Sequence, residues 1–158
     1  MKRVLVLGLG NELLSDVAVG LLVVKKLREE MKGAEDVDFL DTHLSGYNLL
    51  DLILGYDVVV VVDSIVTGEN PVGAVYFLSA RDFECKLDSH PHSLGLPEVV
   101  KLCEAAGLEV PEVFIAAVEV RDVSTLGCSL TPEVERALPE IVERVREFVE
   151  RVRRGAPS

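Results

Sequence analysis

Asp63 closes a run of five valines, Val58 to Val62, and Ser64, Ile65, Val66, Thr67 and Gly68 follow it. A carboxylate at the mouth of so apolar a strand is costly to desolvate unless it is paired, hydrogen-bonded or bound to a metal. A turn-forming Asp is the plainer alternative. His90-Pro91-His92 contains two of the three histidines in the chain, the other being His43. A single loop histidine is more often just exposed, but neutral imidazole is the commonest metal ligand. On a neighbouring strand end it would join Asp63 to begin a site for a hard or borderline cation. Further upstream, Gly8-Leu9-Gly10-Asn11 runs into Ser15-Asp16. A dinucleotide fingerprint would want a third glycine where Leu13 stands, although Asp41 ends the second apolar run where a ribose-binding acid belongs. Nucleotide binding therefore stays open as an alternative. Asp16 also has a purely structural reading, as the N-cap of a helix starting near Val17.

Other chemistries lack their residues. There is no G-x-S-x-G elbow and no H-E-x-x-H pair. Cys85, Cys103 and Cys128 are dispersed, odd in number and without a C-x-x-C pair, which argues against a disulfide framework and a structural zinc site. They read as packing residues in a reducing cytoplasm. The net charge of −11 disfavours nucleic acid, since phosphate binding needs clustered Lys and Arg. No apolar run is long enough to span a bilayer, so no membrane insertion is expected.

These candidate residues need a scaffold that gathers strand ends. Arg3–Gly8, Val37–Asp41, Asp57–Asp63, Gly73–Ser79 and Val113–Val120 read as strands, and the valine run can be hidden only if both its faces are covered. Helical periodicity marks 17–32, 49–54, 96–106 and a last helix with Thr131 as N-cap and Pro132 at its first position. Pro139 should kink or restart that helix. The loop before Gly73 is too short for a crossover helix, so that strand should run antiparallel to its predecessor. The alternation predicts an α/β three-layer sandwich: a central, mostly parallel, twisted sheet of about five strands with helices on both faces. Residues 1–154 form one domain in this reading, with 155–158 a loose tail. Ligands of such sheets bind beyond the carboxyl ends of the strands, where Asp16, Asp63 and His92 fall.

At these same positions the chain resembles a known family. Gly8-Leu9-Gly10-Asn11-Glu12-Leu13-Leu14-Ser15-Asp16 looks like the opening motif of the hydrogenase maturation proteases. Asp63 with Gly68 and Pro71-Val72-Gly73 is similar to the second motif, and His92-Ser93-Leu94-Gly95-Leu96 to the third. Gly127 to Val134 resembles the loop into the last helix. The resemblance implies a cytoplasmic endopeptidase that removes the C-terminal extension of a nickel-loaded hydrogenase large-subunit precursor. It implies metal contacts from an acid in the first motif, Asp63 and His92, with nickel arriving on the substrate. The family usually has two adjacent acids in the first motif, the second being the ligand; here they are Asp16 and Val17. Valine has no lone pair, so either Asp16 takes over that contact or the site lacks a ligand. In the second case the chain would be a noncatalytic, chaperone-like homologue that binds the precursor without cutting it.

Overall fold

The computed structural model describes residues 2–44, 46–80, 96–127 and 129–155. The strands are β1 (Val4–Leu9), β2 (Val37–Thr42), β3 (Val58–Ile65), β4 (Val75–Ser79) and β5 (Glu112–Glu119). The helices are α1 (Val19–Glu30), α2 (Leu50–Ile53), α3 (Leu96–Ala105) and α4 (Pro132–Arg153), with 3-10 turns at Ser15–Ala18 and Gly46–Leu49. The five strands form one sheet in the order β2-β1-β3-β5-β4, with every pair parallel except β4 against β5. β4 does run opposite to β3, as its short approach loop requires, but its ladder partner is β5.

The valine strand behaves as its composition demands, since all eight residues of β3 are buried. Alternation sends Val58, Val60 and Val62 into one core with Val23, Val24 and Leu27 of α1 and Ile141, Val145 and Phe148 of α4. Val59, Val61 and Ile65 join the other core, with Ile53 of α2 and Leu96 and Val100 of α3. In the first core Phe148 stacks on Phe77 at 4.4 Å between ring centroids and meets Phe114 edge-on at 5.3 Å.

Three sequence expectations need correction. β3 continues two residues past Asp63, so this acid lies within the strand and points, by alternation, to the α2/α3 face. The restart expected at Pro139 does not occur, because α4 is a single 22-residue helix. Pro139 and Glu135 are both exposed, so the carbonyl that loses its amide partner is left to water while the apolar stripe stays docked. Thr131 is the N-cap by position and backbone angle, yet its side chain makes no capping bond to the helix.

α1 lies unusually close to the strands. A Cβ on Gly20 would come within 2.3 Å of the Leu9 carbonyl oxygen and 2.5 Å of that of Val62. The close-packing glycine absent at position 13 is thus supplied from the helix itself. This contact sits at the carboxyl ends of β1 and β3, where the chain first steps to one side of β1 and then to the other. That is the switch point at which a crevice opens in doubly wound sheets.

Candidate active site

Asp16 leaves β1 in the 3-10 turn before α1 and is fully buried. It caps neither helix at that end; Leu14 and Ala18 occupy those positions. Its Oδ2 accepts the amides of Arg121 at 3.1 Å and Asp122 at 2.8 Å, and its Oδ1 accepts the Thr131 amide at 2.7 Å. The Thr131 hydroxyl donates to both oxygens at 3.0 Å, which explains why it does not cap α4. One carboxylate therefore fastens both ends of the β5–α4 loop across more than a hundred residues of sequence. The backbone reinforces the join: Ser15 and Asp16 amides donate to the Thr125 and Asp122 carbonyls, and Gly127 donates to Leu13. Within that loop Asp122 accepts from Ser124 and Thr125 amides. Hydrogen bonding from Thr125, side chain first and then backbone, with the Ser124 amide, holds the Asp122 carboxyl below its ordinary value.

Asp16 is the acid expected to stand in for the missing second acid at Val17. A cation could claim its oxygens only by displacing amides that hold the loop. Val17 itself is 6% exposed.

Asp63, one lane across the sheet, is 1% exposed and accepts the Ser64 amide at 2.9 Å. Two residues further along the neighbouring strand β5 is an acid that the motifs do not mark. Glu119 is opposite Ile65, faces the same side of the sheet as Asp63 and is 1% exposed. Its Oε2 accepts the Thr67 amide at 2.8 Å and the Gly68 amide at 3.4 Å. Its Oε1 accepts the hydroxyls of Thr67 and of Tyr76, the latter at 2.8 Å. Asn70 in turn donates to the Tyr76 hydroxyl at 2.9 Å. The only signal in the sequence was a charge in the otherwise apolar run Val113–Val120.

Between the ends of β1 and β2 is an open groove of about 430 Å³ whose lining includes Asn11, Glu12, Leu21, Asp41 and His43, but none of Asp16, Asp63 and Glu119. Asp41, considered above for a ribose, pairs with Arg28 of α1 at 3.2 Å. His90 and His92 lie outside the described residues, as do Cys85, Cys128 and residues 156–158 of the tail. Cys103 is buried in α3, in keeping with a packing role. Among the described residues no three of His, Cys, Asp and Glu gather around a common point. Nor is any described helix long and apolar enough to cross a membrane.

Buried acids at the carboxyl end of a parallel sheet admit many activities, and comparison with known proteins narrows them. The family model for hydrogenase maturation proteases of the HycI type matches residues 21–147. This chain belongs to the hydrogenase maturation protease family. It is 30% identical over 135 residues to the hydrogenase 2 maturation protease of Escherichia coli, covering 84% of this chain and 82% of that one. Among solved structures it is similar to the hydrogenase maturating endopeptidase HybD of E. coli, with a TM-score of 0.71, 29% identity, and coverage of 90% and 89%. HybD from Thermococcus kodakarensis gives a TM-score of 0.67 at 26% identity, covering 92% of this chain and 98% of that one. As a member of this peptidase family the chain has the fold its relatives have, a five-stranded, mostly parallel sheet between helices. The family-model match begins at Leu21, past Asp16 and Val17.

Proposed function

We propose that this protein is the endopeptidase that cuts a short C-terminal extension from a hydrogenase large-subunit precursor already carrying nickel. Family membership supplies the reaction class. The observation that carries the site is Asp63, a buried carboxylate near the carboxyl end of the central strand, next to the switch point between β1 and β3. In this reading nickel is part of the substrate, and Asp63 and His92 contact it when the precursor docks. Carboxylate and imidazole suit such a borderline cation. Their contact fixes the precursor's tail against the protein and lines up the scissile bond, a gain in orientation rather than in nucleophilicity. Asp16 serves in this reading by holding the β5–α4 loop, its oxygens already being committed there. The odd, dispersed cysteines fit a reaction in the cytoplasm.

The test is to incubate the purified protein with precursor loaded with nickel and with precursor free of it, following the large subunit by mass spectrometry. One defined C-terminal cut in the loaded sample alone is the expected result. Val17 favours a second reading, a homologue that binds the precursor without cutting it. Stable complex formation with no cut would establish that reading and remove the first.

A further inference from the structure

We infer that Glu119 is a positioning residue for the site, holding the turn after β3 so that Asp63 is presented in one geometry. The inference rests on the role proposed for Asp63.

Four observations carry it. Glu119 is almost wholly buried, and burying a carboxylate is tolerated only when its oxygens are satisfied. Among the described residues, every donor that satisfies it comes from one stretch, the β3–β4 connection and the first part of β4: Thr67 through both amide and hydroxyl, Gly68, and Tyr76. The backbone of the same residue clamps the far end of that connection, since Gly73 donates to the Glu119 carbonyl and the Glu119 amide to Ala74. Side chain and backbone of one residue thus pin both ends of the loop that begins just past Asp63. Finally, Glu119 lies on the same face of the sheet as Asp63, with Ile65 opposite it and Ala117 opposite Asp63. A leucine or valine here would have continued the apolar pattern of β5.

The physical consequence follows from where the freedom would appear. Without the Glu119 oxygens, the Thr67 and Gly68 amides lose their acceptor, and the cheapest remedy is for the turn to swing out to water. β3 then ends in a mobile segment two residues beyond Ile65, and the Asp63 carboxylate samples orientations that the substrate does not use.

The experiment compares the full chain with Glu119→Ala and Glu119→Gln, keeping Tyr76→Phe as a milder change. Three quantities are read: hydrogen exchange at the Thr67 and Gly68 amides, the carboxyl 13C resonance of Asp63 assigned with Asp63→Asn, and kcat and KM on nickel-loaded precursor. Glu119→Ala is expected to speed exchange about tenfold or more and to shift the Asp63 resonance. Turnover should fall about tenfold while KM stays within about twofold, because a misaligned group costs the chemical step rather than docking. Glu119→Gln keeps an acceptor for the Thr67 amide, so it should restore the resonance and most of the turnover although the charge is gone. Tyr76→Phe should shift the resonance the same way by less. Fast loop exchange with an unmoved Asp63 resonance in both Glu119→Ala and Tyr76→Phe would make Glu119 a structural clamp only and overturn the inference. Glu119→Gln as impaired as Glu119→Ala would also overturn it, by making charge and not placement the cause. If the wild-type protein leaves the precursor uncut, the peptidase reading fails, and the Asp63 resonance still decides whether Glu119 positions it.

Discussion

The two ends of the sheet treat their acids differently. At the amino end, where β1, β2 and β3 begin, acids meet guanidinium groups in partly open settings. Arg3 reaches Asp38 at 3.3 Å, and Arg153 of α4 grips Asp36 through two nitrogens at 2.7 and 2.9 Å. Tyr56 adds a hydroxyl to Asp38, and the Arg3 amide bonds Asp57. At the carboxyl end the exposed acids Asp41 and Glu133 also pair with Arg28 and Arg121, but the buried Asp16 and Glu119 are bound by amides and hydroxyls, donors without net charge. Ion pairs that cancel charge in half-exposed positions contribute modest stability and no field. The buried acids at the carboxyl end are satisfied instead by donors from the loops they fasten, residues 121–131 for Asp16 and Thr67, Gly68 and Tyr76 for Glu119. A buried acid is thus informative only once the origin of its donors is known.

The comparison is broken most sharply at Asp63. Replacing Asp63 or His92 with Ala should lower precursor processing about a thousandfold or more while the chain still folds, which circular dichroism checks. Full processing by both variants, measured by mass spectrometry on the large subunit, would remove the carboxyl end from the chemistry altogether.

Asp16 should respond in the opposite sense. Asp16→Ala leaves the amides of Arg121, Asp122 and Thr131 without their acceptor. It should cost about 3 kcal/mol, a fall in melting temperature of roughly 6–12 °C. Its nickel affinity, by calorimetric titration, should match that of the wild-type chain. Val17→Glu should raise that affinity by supplying the second acid that the first motif lacks. A weakened nickel affinity in Asp16→Ala at an unchanged melting temperature would reinstate Asp16 as a ligand and refute its role as a clamp.

The smallest effect is expected at the amino end. Arg153→Ala should cost about 1 kcal/mol at neutral pH, the scale of a partly exposed bidentate pair. The Arg153 hydrogen bonds hold the Asp36 carboxyl below its ordinary value of 3.8, against a desolvation effect of opposite sign. A depressed carboxyl pKa stabilises the fold above that ordinary value, and the gain is lost as pH falls through the lowered one. Chemical denaturation at pH 7 and in the acid limb should therefore show the wild-type advantage shrinking below about pH 4. An advantage independent of pH would mean that packing of the Arg153 stem, not the ion pair, is what the variant loses.

Much of the scaffold could be read from residue patterns, because the patterns are local. Five adjacent valines leave no option but a strand covered on both faces, and the strand and helix ends fell within a few residues of where composition puts them. What escaped was whatever depends on distant partners. β4 pairs with β5, which lies more than thirty residues downstream, and nothing in Val75–Ser79 names that partner. Pro139 does not interrupt α4, because docking of the apolar stripe outweighs one lost bond on the wet side. For the candidate site, Asp16 and Asp63 stood out as motif acids at strand ends, but their different surroundings did not. Asp16's donors come from residues 121–131, and a sequence offers no way to see a bond across that span. Glu119 was passed over because a single acid in a strand carries no spacing to recognise.

The lane order of the sheet also dictates when the crevice can be completed during synthesis. β5 lies between β3 and β4, so β4 has no edge to join until residues after Glu112 have been made and have docked beside β3. The Thr67 turn waits on the same event, since its anchor is fifty-two residues ahead of it in the chain. Asp16 waits longer still, for Thr131. The N-terminal half can emerge and form β1, α1, β2 and β3, yet both carboxylate anchorages are closed only by the C-terminal third. Such late, long-range closure makes folding slow relative to a chain of local contacts. It also means that a nascent or truncated chain holds Asp63 on an unfinished rim, and that cutting competence is acquired only once nearly the whole polypeptide is in place.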